Sequence, residues 1–309
     1  MISRDNNLLN ISWLCEIVQV SRSGFYAWKK RNAKRIEREK KDEKDFELIL
    51  AAFNKRGYSK GSRSIHMTLL HQGVVMNRKK IIRLMKKFNL VCPIRKPNPH
   101  KQAMKYSNEQ RVKDNLVNRH FKMGGPKTIL LTDITYLYYG KGKIAYLSTI
   151  KDAYTNQILS YELSESLKVD IVLSTVSKLM KKHHISKNKK LIIHSDQGIH
   201  YTCTSFQELV SASGLKQSMS RKGNCWDNAP QESFFGHMKD EIKSIKGIHV
   251  FQDLVQLIDD YIDYYNNDRF QIGLAKLSPN QFETYIKTGD YPLIQYQNPP
   301  AVPISHYRS

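Results

Sequence analysis

Leu130-Leu131-Thr132-Asp133-Ile134-Thr135-Tyr136-Leu137 reads as a buried strand with a carboxylate in its middle. The surrounding stretch, Ile129–Tyr139, is rich in Ile, Leu, Thr and Tyr, residues that suit a pleated, packed surface. Burying a lone carboxylate among them costs desolvation unless a cation meets it, so Asp133 asks for a partner. Downstream, Gly140-Lys141-Gly142-Lys143 makes a hairpin turn, and Ile144–Ile150 and Ile158–Leu163 are two further strands. A helix over about 169–182 precedes a short strand at 190–194. Helices follow at about 205–212, 229–245 and 251–266.

Three strands in a meander, then a helix, another strand and more helices, is the order of a ribonuclease-H-like α/β core, a mixed sheet flanked by helices. Two more acids fall at telling places in it. Asp196, in His194-Ser195-Asp196-Gln197-Gly198, stands just past the strand at 190–194, at the carboxyl edge where α/β sheets place their sites. Glu232 lies near the start of a helix introduced by Asp227-Asn228-Ala229-Pro230, with Pro230 in its first turn. Acids from three separated elements can converge. Two magnesium ions about 3.5–4 Å apart require such hard oxygen ligands, with water and phosphate oxygens completing their shells. That arrangement suits phosphoryl transfer with no covalent protein intermediate.

The first part of the chain speaks of a polyanionic partner. The chain has 309 residues and a formal charge of +22, and residues 1–120 carry 28 Lys+Arg against 10 Asp+Glu, net 28 − 10 = +18. From Leu48 to Asn108 there are 14 basic residues and no acid, a surface suited to phosphate. Residues 11–28 read as helix, turn and helix, with Ser21 capping the second. Lys29–Glu47 places opposite signs three and four apart, as on a solvated linker helix. In Arg78–Lys87, capped by Asn77, the residues Ile81, Ile82, Leu84 and Met85 form an apolar face. Arg78, Lys79, Lys80 and Arg83 crowd the remainder with Lys86 and Lys87, so this is a candidate recognition helix.

The expected organisation is therefore a helix-turn-helix at 1–32, a linker helix at 33–47, a second basic helical domain at 48–92, a Pro-rich basic linker at 93–125, the catalytic core at 126–290 and a tail at 291–309. No apolar run approaches the roughly 18 residues that cross a membrane, and no apolar segment follows Met1, which points to the cytoplasm. Cys15, Cys92, Cys203 and Cys225 stand singly and read as buried or incidental thiols; His183, His184, His194 and His200 have basic neighbours or stand at strand ends, which argues against a zinc site. Trp226 reads as a loop anchor on the core, with base stacking as its alternative.

The residues around the acids carry more than an arrangement of carboxylates. With 62 residues between Asp133 and Asp196 and 35 between Asp196 and Glu232, the chain resembles the DDE transposases of bacterial insertion sequences that have a retroviral-integrase core. It is most similar to the second reading frame, OrfB, of the insertion-sequence-three family. The motifs are T-D-I-T-Y (132–136), H-S-D-Q-G-x-x-Y-T (194–202), S-M-S-R-K-G-N-x-W-D-N-A-P-x-E-S-F-F (218–235), K-D-E (239–241), Y-Y-N-N-D-R (264–269) and L-S-P-x-x-F (277–282). S-R-S-G-F-Y-A-W (21–28), G-S-R-S-I (61–65) and R-K-K-I-I-R-L-M (78–85) extend the likeness through the basic half. Gln271 and Ile129-Leu130 depart from the family's usual His and Trp, and neither departure touches the acids.

The resemblance implies that Asp133, Asp196 and Glu232 are catalytic metal ligands for two magnesium ions, with manganese as a substitute. It implies that Lys239, two helical turns beyond Glu232, contacts DNA near the cut, and that Tyr265, Asn266 and Arg269 either contact DNA or pack a helix end on the core. Its partners are terminal inverted repeats and target DNA, a homo-oligomer assembled on DNA at the bacterial nucleoid, and an upstream frame, OrfA, as partner or fusion. Two other readings share parts of the pattern: a nuclease of the same fold, and a catalytically weak DNA-binding regulator.

Overall fold

Ser21 ends a turn and opens a helix by accepting the Gly24 N–H at 3.0 Å, as the sequence leads one to expect. A computed structural model of the chain describes residues 10–92, 112–183, 191–222, 224–242 and 245–299. In it α1 (Ile11–Ile17) is followed by α2 (Arg22–Asn54), a single helix of 33 residues and, at 1.5 Å per residue, about 50 Å long. The expected second helix, charged linker and first helix of the next domain are thus one rod. Once Gly24 is passed, no Gly or Pro interrupts it, so a change of composition alone does not end a helix.

α3 (Ser62–His71) and α4 (Arg78–Lys87) fold back on the end of α2 around Ile49, Phe53, Ile65, Leu69, Ile81 and Leu84. Ile82, expected on the apolar face, is instead exposed, because the buried stripe of α4 runs through Ile81, Leu84 and Met85. The basic residues of α4 divide. Arg83 donates to both oxygens of the buried Asp42 at 2.6 and 2.8 Å, Lys87 joins the same carboxylate, and Lys80 pairs with Asp45. Arg78, Lys79, Ile82 and Lys86 face solvent. Of the four basic residues singled out on this helix, Lys80 and Arg83 are therefore tied to α2 and hold the helix pair together. The Arg83 hydrogen bonds keep the Asp42 carboxyl below the usual carboxylate range. Arg83→Gln is expected to loosen α4 by about 1–3 kcal/mol, read as faster amide exchange in that helix, because Asp42 loses its bidentate partner.

The central sheet has the order β3-β2-β1-β4-β5, with β1 (Ile129–Tyr139), β2 (Lys143–Asp152), β3 (Ile158–Ser164), β4 (Ile192–Ser195) and β5 (Lys216–Met219). β1 pairs antiparallel with β2 and parallel with β4, and β4 pairs parallel with β5. Along β1 the residues alternate. Leu130 and Ile134 face a layer made by α5 (Asp170–His183), α6 (Ile199–Thr202) and α7 (Thr204–Ala212), while Leu137 and Tyr139 face α8 (Ala229–Glu241) and α9 (Phe251–Asn267). Asp133 has the parity of the second set, so it points toward the α8 side. This strand order is that of a ribonuclease-H-like core.

The boundaries between parts lie elsewhere than expected. Residues 93–111 are outside the described residues, but 112–117 run beside β5: Leu116 N–H donates to Ser218 Oγ at 2.9 Å and Met219 N–H to the Asp114 carbonyl at 3.3 Å. α10 (Pro279–Thr288) extends the core, and Tyr291 and Leu293, expected in a tail, are buried against it. The basic helical part is also pinned to the core. Arg56 reaches Asp260, Asp263 and Asp268, Tyr58 donates to Asp260 at 2.6 Å, and Tyr58 sits in the α8–α9 cluster. No helix among the described residues is long and apolar enough to cross a membrane.

Candidate active site

Strand register brings the first two acids together. In the parallel β1–β4 pair, Leu131 stands opposite His194, so Asp133 and Asp196, each two residues further on, leave neighbouring strands at the same level, with strands about 4.8 Å apart. Asp133 is half-buried, and its Oδ1 accepts the Ile134 N–H at 2.8 Å. Asp196, one residue beyond β4, folds its Oδ1 onto the Gly198 N–H at 2.9 Å. A Cβ at Gly198 would stand 2.9 Å from that oxygen, so the position tolerates only glycine without a shift.

The third acid is delivered by the start of α8. Its first turn is anchored to β2: Gln231 donates to Thr149 Oγ1, and Lys151 Nζ to the Pro230 carbonyl at 2.7 Å. Thr149 is the residue directly opposite Asp133 in the β1–β2 pair, so the anchor ties the first turn of α8, which carries Glu232, to the strand next to Asp133. The electrostatics agree. The protein around the Asp196 carboxyl, and then the charge of Glu232, push its pKa up, although the residue opens to solvent on one side. Tyr201 is buried under the pair, its phenol raised by burial and then by the charges of Asp133 and Asp196. Among the described residues no three His, Cys, Asp or Glu side chains stand together as a group that could hold a metal ion. The oxygen chemistry of the three acids is that of magnesium, an ion that keeps several of its waters and takes few protein ligands.

The loop before α8 is held by a residue that the sequence did not single out for this. Asp227 is 1% exposed and accepts from Arg119 Nε at 2.9 Å, Arg221 Nε and Nη2 at 2.8 Å and Asn115 Nδ2 at 3.0 Å. Its carbonyl lies 3.0 Å from His194 Nε2, and His194 Nδ1 lies 2.8 Å from Ser218 Oγ. The motif histidine is therefore a buried bridge between β4, β5 and this loop, and burial drives it down to about 4. Trp226, expected to anchor the loop, is 67% exposed: Asp227, its neighbour, does the anchoring and leaves the indole outside.

Models of the integrase core domain match residues 124–225 and 232–285, and a model of an HTH-like domain matches 40–98. The insertion element IS600 31 kDa protein of Shigella sonnei is 31% identical over 87% of this chain and 97% of its own length. The transposase InsF for insertion sequence IS3A of Escherichia coli is 27% identical over 89% of this chain and 94% of its own. The chain belongs to the insertion-sequence-three family of transposases. Among solved structures, the HTLV-2 integrase catalytic core domain in complex with magnesium aligns with 51% of this chain and 96% of its own at 17% identity and a TM-score of 0.37; strand order and the family matches carry the fold.

The remaining site candidates of the transposase separate in the structure. Lys239 is on α8, partly exposed, seven residues beyond Glu232. Tyr265 is buried, and Asn266 and Arg269 are partly buried. The Tyr265 ring meets Phe234 edge-on at 4.8 Å, Asn266 exchanges two hydrogen bonds with the Ile158 backbone at 2.9 and 3.0 Å, and Arg269 grips Glu241, the acid of K-D-E, with contacts of 2.6–3.0 Å. The Y-N-x-x-R motif thus ties α9 to α8 and β3.

Lys151, equally unforeseen, is a buried cation whose ammonium burial pushes from 10.5 down to about 7. Between these values the unfolded chain holds a proton that the folded one gives up, so stability rises with pH across that window, by at most about 1.4 kcal/mol per unit. Lys151→Met is expected to flatten this rise in urea melts recorded from pH 7 to 10.

Proposed function

We propose that Asp133, Asp196 and Glu232 are the catalytic carboxylates with which this transposase cuts and joins DNA at the ends of its insertion sequence. The register that sets Asp133 and Asp196 level on adjacent strands is the observation that carries the reading. In the first reaction water attacks a phosphodiester at the element's end, the bond from phosphorus to the 3′-oxygen breaks, and a 3′-hydroxyl is freed. In the second that hydroxyl attacks another phosphodiester, joining the strands as a new 3′-oxygen leaves.

Asp133 and Asp196 on one side and Glu232 on the other would hold divalent ions, two magnesium ions in this reading, with manganese substituting. When bound, these supply a lowered pKa for the attacking oxygen and neutralise charge on the leaving one. The half-buried Asp133 and the Gly198-clamped Asp196 present fixed oxygens, so little reorganisation accompanies the reaction. Lys239, on the helix of Glu232, positions the scissile strand, and Arg78 and Lys79 of α4 meet the terminal inverted repeat. A homo-oligomer pairing two ends on nucleoid DNA in the bacterial cytoplasm, with an OrfA segment as partner or fusion, completes this reading.

The test is a labelled duplex bearing the terminal inverted repeat, incubated with the purified chain. Cutting in magnesium or manganese, and none with chelator, is expected. Sequence-specific binding without chemistry in any metal would favour the regulator instead.

A further inference from the structure

A pocket of about 560 Å³ lies where the start of α3 faces the core. One wall is Ser59, Lys60 and Arg63; the other includes Lys151 beneath α8 and His237 on α8. The N-cap of α3, Gly61, makes no side-chain cap, so the first N–H groups of this ten-residue helix open toward the pocket with the positive end of its dipole. A second observation points to a ligand. Ser59 is 6% exposed and lines the pocket, yet its hydroxyl has no hydrogen-bond partner. Lys151, also on the wall and buried, uses one donor on the Pro230 carbonyl. Glu241, the carboxylate on this wall, is held by Arg269. Lys60 spends its ammonium on the Phe53, Lys55 and Tyr58 carbonyls, so the cations of the lining are Arg63, Lys151 and the Glu241-paired Arg269. With the uncapped N–H groups and an unanswered buried hydroxyl, they are the equipment of an oxyanion site.

Its place suggests which oxyanion. It joins the helical unit that carries α4 to the face of α8 bearing Ser233 and His237, one residue around from Glu232. We propose that this pocket takes a backbone phosphate of the bound DNA, clamping the strand between the basic helices and the catalytic helix. This rests on the reading that the element's end lies at Asp133, Asp196 and Glu232.

The experiment measures binding of the full chain to inverted-repeat duplex against salt, without metal, for wild type, Arg63→Gln and Arg63→Lys. Each phosphate contact contributes about 0.9 to the slope of log affinity on log salt. Arg63→Gln should lose about that much, and Arg63→Lys should keep it. Neutral methylphosphonates placed singly along the duplex should weaken wild type at each contacted phosphate, and the effect at one of these positions should vanish in Arg63→Gln. An unchanged slope, with every methylphosphonate effect persisting in Arg63→Gln, overturns the proposal. So does Arg63-dependent binding of inorganic phosphate without any change in DNA binding, which marks a free-anion site. Magnesium-dependent cutting in the same preparations reports separately on the acids: coupling without cutting supports the pocket and sinks the catalytic reading, and cutting without coupling does the reverse.

Discussion

Asp196→Asn is expected to abolish metal-dependent cutting at the element's end, by at least about 10³-fold, while leaving affinity for the inverted repeat in chelator unchanged. The size follows from what the carboxylate does. Removing a single preorganised group that stabilises transition-state charge costs about 10²–10³-fold, and a metal ligand sustains both the attacking and the leaving oxygen. Asparagine preserves the shape and can still accept the Gly198 N–H, so the loop after β4 keeps its geometry. Folding should not suffer, because neighbouring protein and Glu232 already disfavour the charged form of Asp196. Asp133→Asn and Glu232→Gln should give the same phenotype. Retained cutting in any one of the three would remove that residue from the proposed set; loss of DNA binding together with cutting would point to a fold or contact defect instead.

How much of this was legible beforehand depended on whether a residue's role is local. β1 could be read from its own run of residues, and Asp133 from its discomfort there. Asp196 and Glu232 followed from the ends of elements that announce themselves, a short apolar strand and a helix with proline in its first turn. β5 was missed because Lys216-Gln217-Ser218-Met219 has no apolar alternation; it is a strand only through parallel pairing with β4. The continuity of α2 was missed because a jump in charge density looks like a boundary, although backbone geometry is indifferent to it. Asp227 and Lys151 acquire their roles from partners far away in sequence, Arg119 and Pro230, which no spacing rule connects to them. Lys80 and Arg83 could not be told from Arg78 and Lys79 without knowing that α2 supplies Asp45 and Asp42. The motif residues Tyr265, Asn266 and Arg269 make the same point: their pattern was visible, but a pattern does not say whether it faces DNA or the interior.

That distinction gives the second large effect. Arg269→Met is expected to destabilise the core by about 3–5 kcal/mol, seen as a lowered urea midpoint. Arg269, its side chain 16% exposed, makes a two-nitrogen grip on Glu241, which also accepts from Tyr261 at 3.0 Å. Deleting the guanidinium leaves the carboxylate without its counter-charge in a mostly buried site, and the uncompensated charge, more than the lost attraction, sets the cost. Removing both partners tests this cause directly. Arg269→Met combined with Glu241→Leu should recover most of the loss, since replacing a buried pair by apolar groups of similar volume is often close to neutral. A DNA contact behaves oppositely: Arg269→Met would lower the salt slope of binding by about 0.9 with an unmoved urea midpoint, and Glu241→Leu would rescue nothing. The double variant therefore decides whether Y-N-x-x-R is a fastening between α8 and α9 or part of the DNA surface.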